Sequence, residues 1–167
     1  YGRKNIELIT GWNVESFDMA YLINRIWKLF NWDTATKLSP HNLLTSREWF
    51  YMGQKKQIAY NISGVATLDY LQMYKKFTYI TRETYTLDHI AEVELGKNKI
   101  DYSEFGAMHL FYRNDYQKFL EYNIRDCELV EALDDKLQLM DLLVTMAYSA
   151  KCNFTDVFGS VRYWDLL

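Results

Sequence analysis

The sequence predicts an α/β domain. Three observations support this: apolar, strand-like runs alternate with helical patterns in the first half, a hairpin pattern lies near the middle, and a long helical pattern follows. The chain has 167 residues, of which 49% are hydrophobic and 25% charged. One compact globular domain is therefore the expected organisation.

The first elements are a strand and an amphipathic helix. The apolar run Ile6–Thr10 is typical of a short buried strand. A helix is predicted from Met19 to about Asn31, since the apolar positions follow helical spacing, namely Met19, Leu22, Ile23, Ile26 and Phe30. The next segment, Asn31–Ser46, is polar and holds the only proline, so we expect a loop with room for one helical turn.

A β-hairpin is predicted over Arg47–Tyr60, with its tip near Gly53–Lys56, because aromatic and β-forming residues flank a glycine and a basic pair. Gly64 then opens a strand over Val65–Leu68. A helix is expected over Asp69–Phe77.

The second half is mainly helical. A short helix begins with Thr86 as its N-cap, whereas Gly96–Phe111 is charged and predicted to be irregular. Asp115–Ala150 has a strongly helical pattern that is too long for one straight helix, so we expect a break near Asp134–Asp141. The tail, Phe154–Leu167, is interpreted as the start of a following segment.

Composition restricts the function classes. No run of eighteen apolar residues is present, and the polar start has no signal peptide, so no membrane partner is expected. The first residue is Tyr, which we interpret as the start of a piece of a longer protein. Two distant cysteines, Cys127 and Cys152, fit a reducing compartment and give no zinc spacing.

Charge and aromatic content leave two interpretations open. A net charge of -3 argues mildly against a nucleic-acid binder, but it does not exclude an enzyme whose site is built from carboxylates. The 14 tyrosines form either an ordinary tyrosine-rich core and surface or a stacking surface for unpaired bases.

Asp18 lies where a strand gives way to a helix, in the stretch Gly11–Arg25. A carboxylate at such a junction is both rigid and accessible, which suits a metal ligand. The alternative is that Asp18 is simply the N-cap of the helix that follows.

Asp126 lies within an apolar and aromatic stripe of the long helix, where one face carries Phe119, Tyr122, Asp126, Leu129 and Leu133. The opposite, solvated face carries Glu121, Arg125 and Glu128. A buried carboxylate is costly unless it is paired or binds a metal. The alternative is an Asp at the edge of the stripe that bonds to a neighbouring backbone group or an arginine.

Two spaced patterns carry a family resemblance: Asn13-x-x-x-Phe17-Asp18 at the strand-to-helix junction, and Tyr122-x-x-x-Asp126 on the later helix. They resemble the second and third motifs of the 3′–5′ proofreading exonuclease of family B DNA polymerases. Further stretches are similar to polymerases of T-even-type bacteriophages, in matching order: Thr10–Asp18, Leu38–His41, Leu68–Leu71, Tyr74–Phe77 and Tyr163–Asp165.

The resemblance implies a ribonuclease-H-like mixed sheet flanked by helices, with an inserted β-hairpin. It implies hydrolysis of the terminal phosphodiester with two divalent cations, Mg²⁺ or Mn²⁺, as cofactors. The implied partners are single-stranded DNA at a frayed primer 3′ end and the remainder of a polymerase chain. The implied location is the cytoplasm of a phage-infected host.

The resemblance also implies residue roles. Asp126 would bind the metal that activates the attacking water, and Asp18 would hold the second metal, partly through water. Tyr122 would orient the nucleophilic water; an ordinary phenol is a donor rather than a base. Asn13 would contact the frayed primer strand, and Phe17, four residues later in the same motif, would be a second DNA-binding residue.

A lysine and the hairpin complete the implied DNA contacts. Lys99 would offset phosphate charge near the site, with Lys97 as an alternative in a shifted register. The hairpin, through Gly53, Lys55 and Lys56, would help to separate the primer end and pass it to the exonuclease. A plain solvated hairpin tip is the alternative.

One departure from the family concerns its first motif, Asp-x-Glu on an upstream strand. The only Asp-x-Glu here is Asp126-Cys127-Glu128, whose carboxylates point to different sides of a helix. We therefore expect residues 1–150 to form a partial exonuclease domain without its N-terminal strands, and 151–167 to lead toward a polymerase domain. We expect weak metal binding and little or no exonuclease activity from this chain alone.

Three hypotheses follow. The first is a segment of a phage-type family B polymerase that covers most of its proofreading domain. The second is a catalytically inactive module that binds single-stranded nucleic acid. The third is an unrelated α/β interaction domain in which Asp18 and Asp126 are structural.

Overall fold

The computed structural model describes residues 6–51, 55–97 and 108–158, and it has the predicted mixed α/β composition. The chain divides into two compact units. The first comprises Tyr1–Thr78 with Asp141–Leu167, and the second comprises Tyr79–Met140.

A parallel strand pair places two chain segments side by side in the first unit. Strand β1 (Leu8–Gly11) pairs with β4 (Ala66–Asp69), in a register that runs from Leu8↔Ala66 to Gly11↔Asp69. The Thr10 hydroxyl adds a hydrogen bond of 2.7 Å to the carbonyl of Leu68. Both strands therefore end at the same edge, with Gly11 beside Asp69.

The first strand was predicted to be buried over Ile6–Thr10, and this prediction of burial was wrong. The strand begins at Leu8, and its residues are mostly half-buried, while the side chain of Ile6 is 59% exposed. The reason is that β1 pairs with a single strand, β4, within the described part of the chain. A strand that pairs on one side only is buried less completely than a strand in the middle of a sheet.

The predicted hairpin corresponds to a longer antiparallel pair. Strand β2 (Leu44–Tyr51) pairs with β3 (Lys55–Ile62), from Leu44↔Ile62 to Tyr51↔Lys55. The predicted tip near Gly53 falls on residues 52–54, outside the described residues. The pair is longer than Arg47–Tyr60 because its ends carry the apolar residues Leu44 and Ile62, which are buried in the core.

Helices cover the first unit. Helix α1 (Asp18–Leu29) and the short α2 (Trp32–Thr36) pack on each other, and α1 packs on β3. The expected loop over Asn31–Ser46 thus contains α2, and its last residues, from Leu44, belong to β2. The shared core consists of Ile23, Ala35, Leu44, Tyr60, Ile62 and Val65.

Helix α3 (Tyr70–Phe77) follows β4 directly, and its N-cap is Asp69. Along α3 the side chains of Tyr70, Met73 and Tyr74 are buried. A 3₁₀-helix over Phe154–Phe158 belongs to the same unit and contacts β4.

The second unit is helical. Helix α4 (Leu87–Leu95) follows Thr86, which occupies the predicted N-cap position, and it packs against α6 (Tyr116–Leu137). Helix α5 (Met108–Asn114) also packs against α6. The prediction of irregular structure over Gly96–Phe111 was therefore wrong for residues 108–111, which begin α5; residues 98–107 lie outside the described residues.

The predicted break in the long helical region occurs at Gln138, whose φ is 51°. The Asp134 carboxylate accepts a 3.0 Å hydrogen bond from the Met140 backbone N–H and so caps the start of α7 (Leu139–Ala150). None of the helices described has both the length and the apolar character that crossing a membrane requires.

Candidate functional site

The turn that follows β1 carries two of the predicted site residues. Asn13 adopts a left-handed conformation with φ of 61°, which asparagine tolerates better than most residues. The carbonyl of Asn13 accepts a hydrogen bond of 3.1 Å from the Phe17 N–H. The carbonyl of Val14 accepts one of 3.0 Å from the Met19 N–H, so the turn passes directly into α1.

Asp18 is the first residue of α1 and is exposed. Phe17 occupies the N-cap position, without a side-chain capping bond, so the alternative role of Asp18 as the N-cap does not hold. A carboxylate in the first helical turn is favoured by the helix dipole. The Phe17 side chain is 68% exposed, which leaves its ring open to solvent beside Asp18.

Tyr122 and Asp126 lie one helical turn apart on α6, in the second unit. Tyr122 is buried, and its ring meets that of Phe111 edge-on, with centroids 6.0 Å apart. Asp126 is half-buried, and its Oδ1 atom is shielded from solvent. Both side chains are therefore at least partly enclosed by the protein.

The predicted division of α6 into two faces is confirmed. Leu129 and Leu133 are fully buried on the face of Tyr122 and Asp126. On the other face Glu121 and Glu128 are exposed, and Arg125 forms a 3.2 Å ion pair with Glu128. Asp126 therefore belongs to the apolar side of the helix, as its spacing predicts.

Of the other residues predicted to contact DNA, some lie outside the described residues and two lie in strand β3. Lys99 and Gly53 lie outside the described residues, so their predicted roles stay predictions. Lys55 and Lys56 open β3, opposite Tyr51 and Phe50 in the register.

Hard divalent cations prefer oxygen ligands, and both Asp18 and Asp126 carry a carboxylate. Across the described ranges, however, no group of three or more His, Cys, Asp or Glu side chains lies close enough together to hold a metal ion. Asp18 belongs to the first unit and Asp126 to the second. Neither cysteine forms a disulfide.

Asp69 is a buried carboxylate whose contacts sequence reasoning missed. It is 4% exposed, and it is the one charged side chain that is buried among the described residues. Burial raises the pKa of Asp69 above its ordinary value, and hydrogen bonds from the backbone N–H groups of Glu15, Asn13, Leu71 and Gln72 oppose that rise. The sequence signal was an Asp between an apolar strand and a helix, which predicts only a helix start.

An open cavity of about 810 Å³ lies next to Asp69 and is lined in part by Glu15, Arg47, Lys75 and Lys76. Arg47 Nη2 lies 2.5 Å from Glu15 Oε1. Lys76 Nζ donates a hydrogen bond of 2.8 Å to the Val157 carbonyl, and burial lowers the pKa of the Lys76 ammonium. The cavity wall thus combines three basic side chains with two carboxylates.

Comparison with known proteins identifies the class to which this fold and these residues belong. Residues 2–90 match the family model of the DNA polymerase family B exonuclease domain, which is more than half of the chain. The chain therefore belongs to this family of exonuclease domains, and an unrelated interaction domain is no longer a viable interpretation.

Phage polymerases are among the similar proteins. The chain is 36% identical to a DNA-directed DNA polymerase of Escherichia phage RB69 and 33% identical to that of Enterobacteria phage T4, over 99% of this chain in both cases. It spans 18% of the length of each. A DNA polymerase catalytic subunit of Saimiriine herpesvirus 2 is 29% identical over 64% of this chain and 11% of its own length.

Proposed function

We propose that this chain forms most of the 3′–5′ proofreading exonuclease domain of a phage family B DNA polymerase, with a ribonuclease-H-like fold and the β2–β3 hairpin as an insertion. The family match over residues 2–90 is the observation that carries this proposal. Residues 1–150 would be the exonuclease part, and 151–167 would lead toward the polymerase domain. The protein would act in the cytoplasm of the infected host.

The proposed substrate is the frayed 3′ end of a DNA primer. The exposed ring of Phe17 offers a surface on which an unpaired base can stack. Asn13, four residues earlier in the same turn, would contact the primer strand. Lys55 and Lys56 would contact phosphates as the β2–β3 hairpin separates the primer end, with Gly53 at its tip.

The proposed reaction is hydrolysis of the terminal phosphodiester bond. Asp18 and Asp126 would each hold one of two Mg²⁺ or Mn²⁺ ions, which when bound supply charge stabilisation for the attacking and leaving oxygens. The Tyr122 hydroxyl would hold the attacking water by a hydrogen bond, and the Tyr122 ring packs edge-on against that of Phe111. Lys99 would balance charge on the phosphate.

Two of the carboxylates that such a site needs are absent from this sequence, which has no strand Asp-x-Glu. We therefore expect the 167-residue chain alone to bind Mg²⁺ or Mn²⁺ weakly and to show little or no nuclease activity.

The test compares this chain with the full-length protein that its gene encodes. Both are incubated with 5′-labelled single-stranded DNA and Mg²⁺ or Mn²⁺. We expect the full-length protein to release nucleoside monophosphates from the 3′ end and the isolated chain to leave the DNA intact. Robust cleavage by the isolated chain that Asp126→Ala abolishes would refute the expected inactivity. A full-length protein without 3′–5′ nuclease activity would refute the proposed function.

A further inference from the structure

Hydrogen bonds connect one buried carboxylate, that of Asp69, both to the start of the helix that follows it and to a turn far away in the sequence. Asp69 Oδ1 accepts bonds of 3.0 Å from the backbone N–H groups of both Asn13 and Leu71. Asp69 Oδ2 accepts a bond of 3.3 Å from the N–H of Glu15. Of these three, the bond from Leu71 is the ordinary capping bond of α3. The other two reach the turn after β1, more than fifty residues earlier in the sequence.

The position of Asp69 explains how it reaches this turn. It is the last residue of β4 and lies opposite Gly11, the last residue of β1. At the shared carboxyl edge of two parallel strands, a side chain from one strand can contact the loop that leaves the other. The carboxylate there meets backbone N–H groups that would otherwise need another acceptor inside the protein.

The turn that Asp69 holds has a conformation that needs such support. Asn13 has φ of 61°, a left-handed conformation that costs energy for a residue other than glycine. The Asn13 and Val14 carbonyls then bond to the N–H groups of Phe17 and Met19, on either side of Asp18. A continuous chain of hydrogen bonds therefore leads from Asp69 to the start of α1.

We propose that Asp69 is a positioning residue for the exonuclease site: it fixes the turn that carries Asn13 and Phe17 and thereby sets the location of Asp18. Its role would be to act through these backbone contacts on the residues of the turn. This inference rests on the proposed function, because Asp18 and Asn13 are its targets.

Asp69→Ser separates positioning from helix capping. Serine is a good N-cap, so the bond from Leu71 at the start of α3 is kept. The shorter side chain cannot reach the turn, so the bonds from Asn13 and Glu15 are lost. Asn31→Ser is the matched control, since Asn31 caps α2 through bonds from Thr34 only.

The first readout is amide hydrogen exchange in the full-length protein, measured by mass spectrometry on peptides that cover residues 11–17 and 70–74. In Asp69→Ser we expect exchange at Asn13 and Glu15 to be at least about tenfold faster, and exchange at Leu71 to be unchanged. Unchanged exchange in residues 11–17 would overturn the proposal, because the turn would then not depend on Asp69.

The second readout is enzymatic. Displacing a catalytic group by about 1 Å can cost about 100-fold in rate, so we expect the exonuclease rate of Asp69→Ser to fall about 10- to 100-fold. DNA synthesis on a primed template should stay at the wild-type level, and Asn31→Ser should retain both activities. Faster exchange of the turn with a wild-type exonuclease rate would overturn the proposal.

If Asp69→Ser fails to fold, Asp69→Asn replaces it. The amide keeps one acceptor oxygen for Asn13 and Leu71 but presents an NH₂ group to the Glu15 N–H. We expect a smaller loss of exonuclease activity, and full activity would again overturn the proposal. If the wild-type protein has no exonuclease activity, the proposed function fails, and the exchange data still show whether Asp69 holds the turn.

Discussion

At the scale of single residues, Gly64 occupies a position where any side chain would be crowded and the backbone conformation favours glycine. Its φ is 85°, and a Cβ atom placed there would lie 2.6 Å from the Pro40 Cγ atom. Gly96 is the matched case, because its φ of 64° is also left-handed, yet an added Cβ would meet nothing within 4 Å. The two glycines share the backbone requirement and differ in the space around them.

Gly64→Ala should therefore destabilise the protein more than Gly96→Ala. The left-handed conformation costs about 1–2 kcal/mol for alanine at either position. Overpacking against the proline ring adds about 1–3 kcal/mol at Gly64 only. Thermal denaturation followed by circular dichroism measures both effects. Equal losses in the two variants would show that the ring of Pro40 moves away at little cost.

At the scale of elements, Glu94 joins three segments of the second unit. Glu94 Oε1 lies 2.6 Å from Arg82 Nη2, and the two side chains are only 12% and 20% exposed. Lys136 of α6 lies 3.3 Å from Glu94 Oε2 and also donates to the Glu94 carbonyl. This network links the segment before α4, the end of α4 and the end of α6.

Glu94→Gln should destabilise the second unit by about 2 kcal/mol, since hydrogen bonds to charged groups in partly buried positions contribute about that much. Glu128→Gln is the control. It breaks the Arg125–Glu128 pair, whose glutamate is 55% exposed, and should cost less than about 0.5 kcal/mol. Urea denaturation measures both variants. A loss for Glu94→Gln as small as that of the control would mean that solvent compensates for the network.

Most of the helices and strands could be predicted from the sequence. Helices with clear 3.6-residue spacing, such as α1, α3 and α6, were predicted within one or two residues, and so was the break at Gln138. Helix α5 was missed because it has only 7 residues, too few for periodicity to stand out. The burial of β1 was overpredicted because hydrophobicity reports what a strand prefers and not which neighbours it has.

The residues of the candidate site could be predicted from the sequence, but their contacts with other elements could not. The helical stripe identified Tyr122 and Asp126, and the strand-to-helix junction identified Asp18. The contact of Phe111 with Tyr122 and the bonds of Asp69 to Asn13 and Glu15 could not be predicted. Both depend on packing between separate elements, and no local pattern encodes the pairing of β1 with β4.

At the scale of the whole molecule, the family membership supports the central proposal, which is that Asp126 is a metal ligand of the exonuclease domain. The claim can be tested with variants that change charge and leave the side-chain shape almost unaltered. Asp126→Asn removes the proposed ligand on α6, and Asp135→Asn changes an exposed aspartate on the same helix.

The most direct measurement uses the full-length protein carrying one substitution at a time. It gives the rate at which each variant removes nucleotides from the 3′ end of single-stranded DNA in the presence of Mg²⁺. Loss of a metal ligand removes several kcal/mol of transition-state stabilisation, so Asp126→Asn should slow the reaction at least about 100-fold. Asp135→Asn should cleave at the wild-type rate, and DNA synthesis should persist in both variants. A wild-type exonuclease rate for Asp126→Asn would contradict the claim that this carboxylate is a metal ligand.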